Sequence, residues 1–258
     1  MPRPLAHVDV EGVPFRPMTR SGFLAWLDER IAAGGGAYAC AVNASSVVQA
    51  SRDPAFMQAL RCSDMNLPDG TPVAWAVSWL AHVRQPRLPG PDMMLEVMAR
   101  ARERGYRVVL YGSTEETLDL LQERLCAAYP GLAIVDAISP PFRALSVEEE
   151  AAIRERIVGA RPDVLLVGLG APKQEIWMQA HCEQLGAVLF GVGAAFDFHA
   201  GLLRRAPPVL QRAGLEWAHR LVQEPGRLWK RYATTLPVFI VRLVKQVVCL
   251  RVKGTAGG

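Results

Sequence analysis

The chain lacks paired cysteines, a long apolar run and, towards its C-terminus, acid. Its five cysteines (Cys40, Cys62, Cys126, Cys182, Cys249) form no CxxC pair and stand at no ligand spacing from histidine. An odd, scattered set in 258 residues argues against a disulfide framework or a zinc site and for a reducing cytoplasm. No segment reaches the roughly 18 to 20 uninterrupted apolar residues of a spanning helix. The opening MPRPLAHVDVEGVPF has no signal-peptide core, and internal repeats and low-complexity linkers are absent. The missing acid is the most telling. Through residue 203 there are 18 Lys/Arg against 23 Asp/Glu, a net of −5. Beyond it, 11 basic residues face only Glu216 and Glu224, a net of +9, and the overall +4 hides this division. A near-neutral body with a cationic tail points to an anionic partner for the tail: lipid headgroups, a pyrophosphate or nucleic acid.

What the chain does have is apolar bulk, 50% of its residues, enough for one large core with or without an appendage. Apolar runs at 38–42, 65–67, 107–111, 133–138, 164–167 and 187–192 read as strands. Segments 53–62, 71–80, 91–104, 115–129, 147–159 and 174–184 read as helices. Strands alternating with helices of this length imply right-handed crossovers and a mostly parallel sheet. The expected fold is α/β: a Rossmann-like, mostly parallel sheet flanked by helices over 1–203, then a basic helical appendage over 204–258.

The stretch VLLVGLGAPKQE (164–175) carries the most information. A strand covered on both faces loses polar alternation, Gly168 and Gly170 permit a sharp turn, and Pro172 supplies the fixed φ of a first helical turn. Lys173, Gln174 and Glu175 then stand at the carboxyl end of a strand beside a helix N-terminus. Open α/β sheets bind ligands there, and free N–H groups favour anions, so the expected guest is a phosphate. Asn43, after strand 38–42, is either a ligand contact or a cap. Pro68-Asp69-Gly70 is ordinary turn chemistry, although a carboxylate there can also accept a proton from a sugar hydroxyl. Gly112-Ser113 looks like a phosphate-approach turn without a GxGxxG sequence. Gly191-Val192-Gly193 is followed by no ribose-binding acid, which weighs against NAD. Asp197, between Phe196 and Phe198, needs hydrogen bonds if buried; it either fixes its loop or touches the ligand. His199 is a possible acid, although a lone histidine is more often packed or exposed than catalytic, and His181 and Cys182 sit on a helix without a triad.

In the tail, Arg220, Arg227, Lys230 and Arg231 recur at intervals of seven, three and one. They share a face if the helix is continuous, which Pro225 opposes. The segment LPVFIVRLVKQVVCLRVK mixes apolar residues with Arg242, Lys245, Arg251 and Lys253. It suits an interfacial helix with snorkelling cations, or equally a helix packed on the body or on a second subunit.

Taken in order, VNASSVVQASRDPAF, LPDGTPVAWA, RLPGPDMM, VLLVGLGAPKQEIW, GVGAAFDFHAG and RRAPPVLQRAGLEWAHRLVQEPGRLWKRY resemble the bacterial WecG/TagA/CpsF glycosyltransferases, over about 38–232. The resemblance implies a metal-independent, inverting hexosyltransferase that needs no cofactor. Such an enzyme moves N-acetylmannosamine or a related hexose from a UDP-sugar to a sugar on undecaprenyl diphosphate, in cell-wall or exopolysaccharide synthesis. By position, the resemblance implies Asp69 as the base and Asn43 and Gln174 as active-site residues. It implies Arg220, Arg227 and Lys230 or Arg231 as the appendage that holds the lipid diphosphate. Gly112, Ser113, Gly170, Lys173, Gly193 and Asp197 complete the expected donor and nucleotide site. The absence of a DxD motif fits a site where basic residues and helix dipoles stabilise the leaving group. The chain departs from the family pattern at Ala41, where threonine is frequent, in Ala44-Ser45-Ser46, and at Lys230, where arginine is frequent. Sugar identity would be read there, so a glucosyl-type donor is an equal expectation.

The expected protein is a cytoplasmic enzyme bound peripherally to the inner face of the plasma membrane. Its partners are a UDP-sugar donor, a polyprenyl-diphosphate-linked acceptor and an anionic membrane surface; VFIVRLV favours a bilayer over nucleic acid. A homo-oligomer that masks the apolar tail stays open. The rivals are a nucleotide-dependent oxidoreductase of Rossmann type and a non-enzymatic, basic-tailed binding protein.

Overall fold

Short apolar runs bounded by glycine and proline become strands here, and the capped segments between them become helices. The computed structural model describes residues 7–255, apart from the side chains of 208, 212, 227 and 250–255. A hairpin of β1 (Val8–Val10) and β2 (Val13–Phe15) precedes α1 (Arg20–Ala32). There follow β3 (Ala37–Val42), α2 (Ala44–Ala50), α3 (Pro54–Cys62), β4 (Met65–Pro68), α4 (Thr71–Ala81) and α5 (Gly90–Arg104). Next come β5 (Arg107–Gly112), α6 (Glu115–Ala128), β6 (Ala133–Ile138), α7 (Val147–Ala160), β7 (Val164–Gly168), α8 (Lys173–Leu185), β8 (Val188–Gly191) and α9 (Ala195–His199). The chain closes with α10 (Pro208–Arg212), α11 (Glu216–Gln223) and α12 (Pro225–Thr255).

Six strands form one parallel sheet in the order β4-β3-β8-β7-β5-β6. The strand–helix alternation anticipated this sheet. It did not anticipate the separate antiparallel hairpin of β1 and β2, nor α1 and α2. Alternate strand residues feed two cores. Tyr38, Cys40, Val42, Leu165 and Val167 face one that α2, α3, α4, α8 and α12 cover. Ala39, Val164, Leu166 and Phe190 face the other, beneath α1, α5, α6 and α9. Side chains at the helix starts hold the first free N–H groups, as Thr19, Asp53, Thr114 and Ser146 do.

The crossing order positions the site. Strands β3 and β8 are neighbours, yet β3 leads into α2 on one face of the sheet and β8 into α9 on the other. Their outgoing loops diverge, and a crevice opens at their carboxyl ends, where such sheets take ligands.

In the tail, residues 208–223 form two helices, α10 and α11, separated at Gly214, at φ +74, where a Cβ would lie 2.7 Å from Thr71 Oγ1. Beyond it, α12 is a single helix that starts at Pro225 and contains Pro237. Its stretch Leu228–Cys249 is long and apolar enough by length and composition to cross a membrane, but one side of it packs on the body. Leu228, Thr235, Phe239 and Leu243 are buried, and each large apolar side chain so buried contributes about 1.5 to 3 kcal/mol. Polar contacts tie the same side down. Thr235 meets Ser45 of α2 at 2.8 Å, Arg242 donates to Ser51 Oγ at 2.7 Å, and Gln246 donates to the Asp9 carbonyl at 2.7 Å. Between the two readings left open by the pattern, packing on the body describes this face.

Candidate active site

Pairing of β3 with β4 ends at Val42 opposite Pro68, so Asn43 and Asp69 leave adjacent strands side by side. The Asp69 N–H donates to the Val42 carbonyl at 2.9 Å. Pro68 is tolerated because β4 is an edge strand, and Gly70, at φ +101, turns the chain into α4. Asn43 caps α2: its Oδ1 accepts from the Ser46 N–H at 3.1 Å, which leaves its NH2 end for other partners.

Across the crevice, Gly170 follows β7 and Gly193 follows β8. Gln174 clamps both loops, its Oε1 accepting from Gly170 N–H at 3.2 Å and from Gly193 N–H at 3.1 Å. Its Nε2 donates to Glu175 Oε1 at 2.8 Å. Gly191 gives these side chains room, since a Cβ there would lie 2.7 Å from Met178 Cε and 3.1 Å from Gln174 Nε2 and both would have to shift. Glu175 is buried beside the clamp, and burial pushes its carboxyl up to about 7 against the opposing pull of the Gln174 hydrogen bond.

The tail supplies the third wall. Arg220 of α11 and Arg231 of α12 reach the same crevice from different helices. Arg220 lies over the Phe198 ring, 5.2 Å from its centroid, and Arg231 over the Tyr232 ring at 5.1 Å. The Nε of each is buried with no hydrogen-bond partner among the described residues. Such orphaned donors are costly unless an acceptor arrives, and an anion is the acceptor that a guanidinium prefers. Glu216 of α11 bridges Arg87 at 3.5 Å and Arg205 at 3.3 Å, and Arg205 also pairs with Asp92.

These groups line one cleft with two lobes. The lobe of about 1100 Å³ at the strand ends is bordered by Gly170, Gln174, Gly193 and Ser46. The lobe of about 810 Å³ beneath the tail is bordered by Thr71, Arg87, Glu216, Trp217, Tyr232 and Leu236. Asn43, Asp69, Phe198, Arg220 and Arg231 border both. Asp69 is half-buried and borders both lobes. Burial, and next the Glu216 carboxylate, push its carboxyl up to about 6, against Arg220, Arg87 and Arg205. An acid with that value is ionised at neutral pH and more basic than an ordinary carboxylate, the condition for a general base. Among the described residues no group of three or more His, Cys, Asp or Glu side chains is placed to hold a metal ion.

Of the residues singled out from sequence, Asp69, Asn43, Gln174, Gly170, Gly193, Arg220 and Arg231 line this cleft. Ser113 and Lys173 line a neighbouring cavity of about 810 Å³, walled by Tyr111, Phe142 and Trp177. Asp197 borders neither space; the Ser113 hydroxyl donates to its Oδ1 at 3.5 Å. Gly112 packs on β7, where a Cβ would lie 2.6 Å from the Gly168 carbonyl carbon. Lys230 is exposed away from the cleft, and the side chain of Arg227 lies outside the described residues. Arg87 and Glu216 went unread in the sequence. Arg87 opens the RLPGPDMM block and is positioned when the next residue, Leu88, donates its N–H to the Pro68 carbonyl at 3.0 Å.

The profile of the "Glycosyl transferase WecG/TagA/CpsF family" matches residues 8–253. Three similar proteins are each named N-acetylglucosaminyldiphosphoundecaprenol N-acetyl-beta-D-mannosaminyltransferase. That of Bacillus spizizenii is 28% identical over 211 residues, 81% of this chain and 79% of its own. That of Staphylococcus aureus strain MW2 is 29% identical over 206 residues, 79% and 78% respectively. That of Bacillus subtilis strain 168 is 27% identical over 243 residues, 92% and 91% respectively.

Proposed function

This chain belongs to the WecG/TagA/CpsF family of glycosyltransferases, and from that premise we propose the reaction its cleft performs. It transfers a hexose, N-acetylmannosamine-like or glucosyl-type, from a UDP-sugar to a sugar carried on undecaprenyl diphosphate, with inversion and without a metal. The observation that carries the proposal is the position of Asp69 at the junction of two lobes, one walled by glycine loops and the other by the cationic tail.

In this reading the donor sugar lies in the strand-end lobe, and the acceptor's diphosphate lies beneath α11 and α12. The nucleotide end of the donor extends towards Ser113 and Lys173, whose cavity has aromatic walls for a base. The Asp69 carboxylate takes the proton of the acceptor hydroxyl, the oxygen attacks the anomeric carbon from the side opposite UDP, and the bond from that carbon to the UDP oxygen breaks. Arg220 and Arg231, bordering both lobes, hold the acceptor's diphosphate on the tail side and meet the charge that develops on the departing UDP on the other. Gln174 serves by holding the Gly170 and Gly193 loops open around the sugar. The same clamp argues against the oxidoreductase reading, because it occupies the N–H groups that a dinucleotide pyrophosphate would need.

The acceptor is a membrane lipid, and the outward face of α12 suits a bilayer surface. Trp229, Ile240, Val241, Val244 and Val248 are exposed there, with Lys230 and Lys245 beside them. The enzyme works at the inner face of the plasma membrane. The test is a panel of UDP-sugars offered with a polyprenyl-diphosphate N-acetylglucosamine acceptor in vesicles, read by product mass. A gain of one N-acetylhexosamine or hexose is expected from one donor; no mass gain with any donor would overturn the proposal.

A further inference from the structure

Tryptophan is highly buried on average, yet this chain exposes four of its six. Trp217 on α11 and Trp229 on α12 belong to the tail, but Trp75 and Trp79 belong to α4, in the body. They are 57% and 55% exposed, one turn apart, with ring centroids at 6.4 Å and planes at 23°. The opposite side of α4 buries Val73, Ala76 and Val77 in the core, so packing does not account for the outward pair. The exposed row continues through His82 to Arg84, and no Asp or Glu occurs between 71 and 87. An aromatic pair running into cations, without acid, is complementary to an anionic headgroup layer over hydrocarbon, where tryptophan settles with its ring in the apolar side and its N–H towards water.

The placement of α4 adds to this. Its first turn, at Thr71 and Pro72, forms one wall of the lobe beneath the tail, and Trp217 and Tyr232 form the other. Helix α12, with its own outward apolar face, packs against α4. The two exposed apolar surfaces are therefore carried by touching helices that flank one lobe.

We propose that Trp75 and Trp79 form a second bilayer anchor, which seats the body of the protein at the headgroup–acyl boundary of an anionic membrane with the lobe between α4 and α12 facing the lipid. This rests on the reading of α12 as a membrane-facing helix. Anchoring on both sides of the lobe fixes the orientation of the cleft, so that a lipid-linked acceptor reaches Asp69 without leaving the bilayer. Helix α12 is fixed to the body, so a bilayer contact through it alone leaves the body free to roll about the axis of that helix, and a second contact on α4 removes this freedom.

The full-length chain carrying W75S and W79S is compared with one carrying I240S and V244S, by flotation with vesicles of phosphatidylethanolamine and phosphatidylglycerol. The expected result for W75S/W79S is binding weaker by about tenfold or more. Transfer to a polyprenyl acceptor in those vesicles falls, while transfer to a short-chain, water-soluble acceptor is unchanged, which also reports an intact fold. Binding retained by W75S/W79S but lost by I240S/V244S overturns the second anchor and leaves the tail reading standing. Binding retained by both overturns the tail reading and this proposal with it. Unchanged vesicle binding with a smaller sedimentation coefficient for W75S/W79S assigns the pair to contact with a second copy, and also overturns the proposal.

Discussion

The two sides of the cleft are built on opposite plans. The sheet side offers small residues and one acid, and backbone pairing fixes nearly all of it. Asn43 and Asp69 follow adjacent strands in register, and the glycine loops are pinned by a buried amide. The tail side offers cations from two helices, held by side-chain contacts to Phe198 and Tyr232 and through Glu216 to Arg87 and Arg205. Charge follows the same division, −5 through residue 203 and +9 from residue 204 onward. The difference teaches that the side chains on which the proposed reaction depends most for position sit at strand ends, where the backbone leaves little freedom, while the cations proposed to stabilise charge are carried on long side chains.

The sharpest way to break this comparison is to remove the one acid they share. Asp69→Asn is expected to lower turnover by about 100-fold or more, the worth of a positioned base, with the fold intact. Stability gives an independent check. The folded state holds the Asp69 carboxyl at about 6, above the ordinary carboxylate value, so ionisation disfavours folding. That penalty is absent at pH values below the unfolded-state pKa, grows as pH rises and is complete above about 6. The variant, which carries no charge, should therefore melt at the same temperature as the parent in acid and at a higher one at neutral pH. Near-normal turnover would refute the base, whatever the melting curve.

The tail side is probed by Arg231→Ala and Arg220→Ala. Each is expected to reduce kcat/KM by about ten- to 100-fold, the scale of a charge-assisted contact to a phosphate. Their effect should be larger with the diphosphate acceptor than with a monophosphate analogue, and Lys230→Ala, outside the cleft, should stay close to the parent. Equal losses at all three positions would mean that the tail acts as a general cationic surface, and the contrast between the two sides would dissolve.

The sheet side was largely legible in the sequence and the tail side was not. Apolar runs such as 164–167 announce buried parallel strands, and the residues just after them fall at the strand ends by topology alone. The hairpin at β1 and β2 escaped because three-residue strands carry too little periodicity. Helix α1 escaped because Phe23 and Leu27 are its only buried residues, and α2 because Ala44-Ser45-Ser46 looks like a loop although it is buried. Convergence in the tail is a tertiary fact. A seven-residue spacing suggests that Arg220 and Arg227 share one helical face, but Glu224 and Pro225 separate two helices, and Arg220 meets Arg231 instead. Arg87 sits in a proline-rich loop with no period at all, and only its pairing to the end of β4 brings it to the cleft.

The subtlest link between the two sides is Glu216, a tail residue whose charge acts on the sheet-side acid. The charges that set the Asp69 carboxyl, besides its burial, are Glu216 and Arg220 from α11, Arg87 from the loop after α4, and Arg205 from the segment before α10. Glu216 raises it and the three arginines lower it. Glu216→Gln removes the raising charge and keeps an oxygen for Arg87 and Arg205, whose positive fields on Asp69 are then less compensated. Both changes have the same sign, so the acid limb of the kcat/KM profile, which the Asp69 carboxyl at about 6 is expected to set in the parent, should move to lower pH by about half a unit or more. The plateau above the limb should drop only modestly, since a base of lower pKa is a weaker one. A purely structural latch would lower the plateau and leave the limb where it was, and that outcome would detach Glu216 from the chemistry of Asp69.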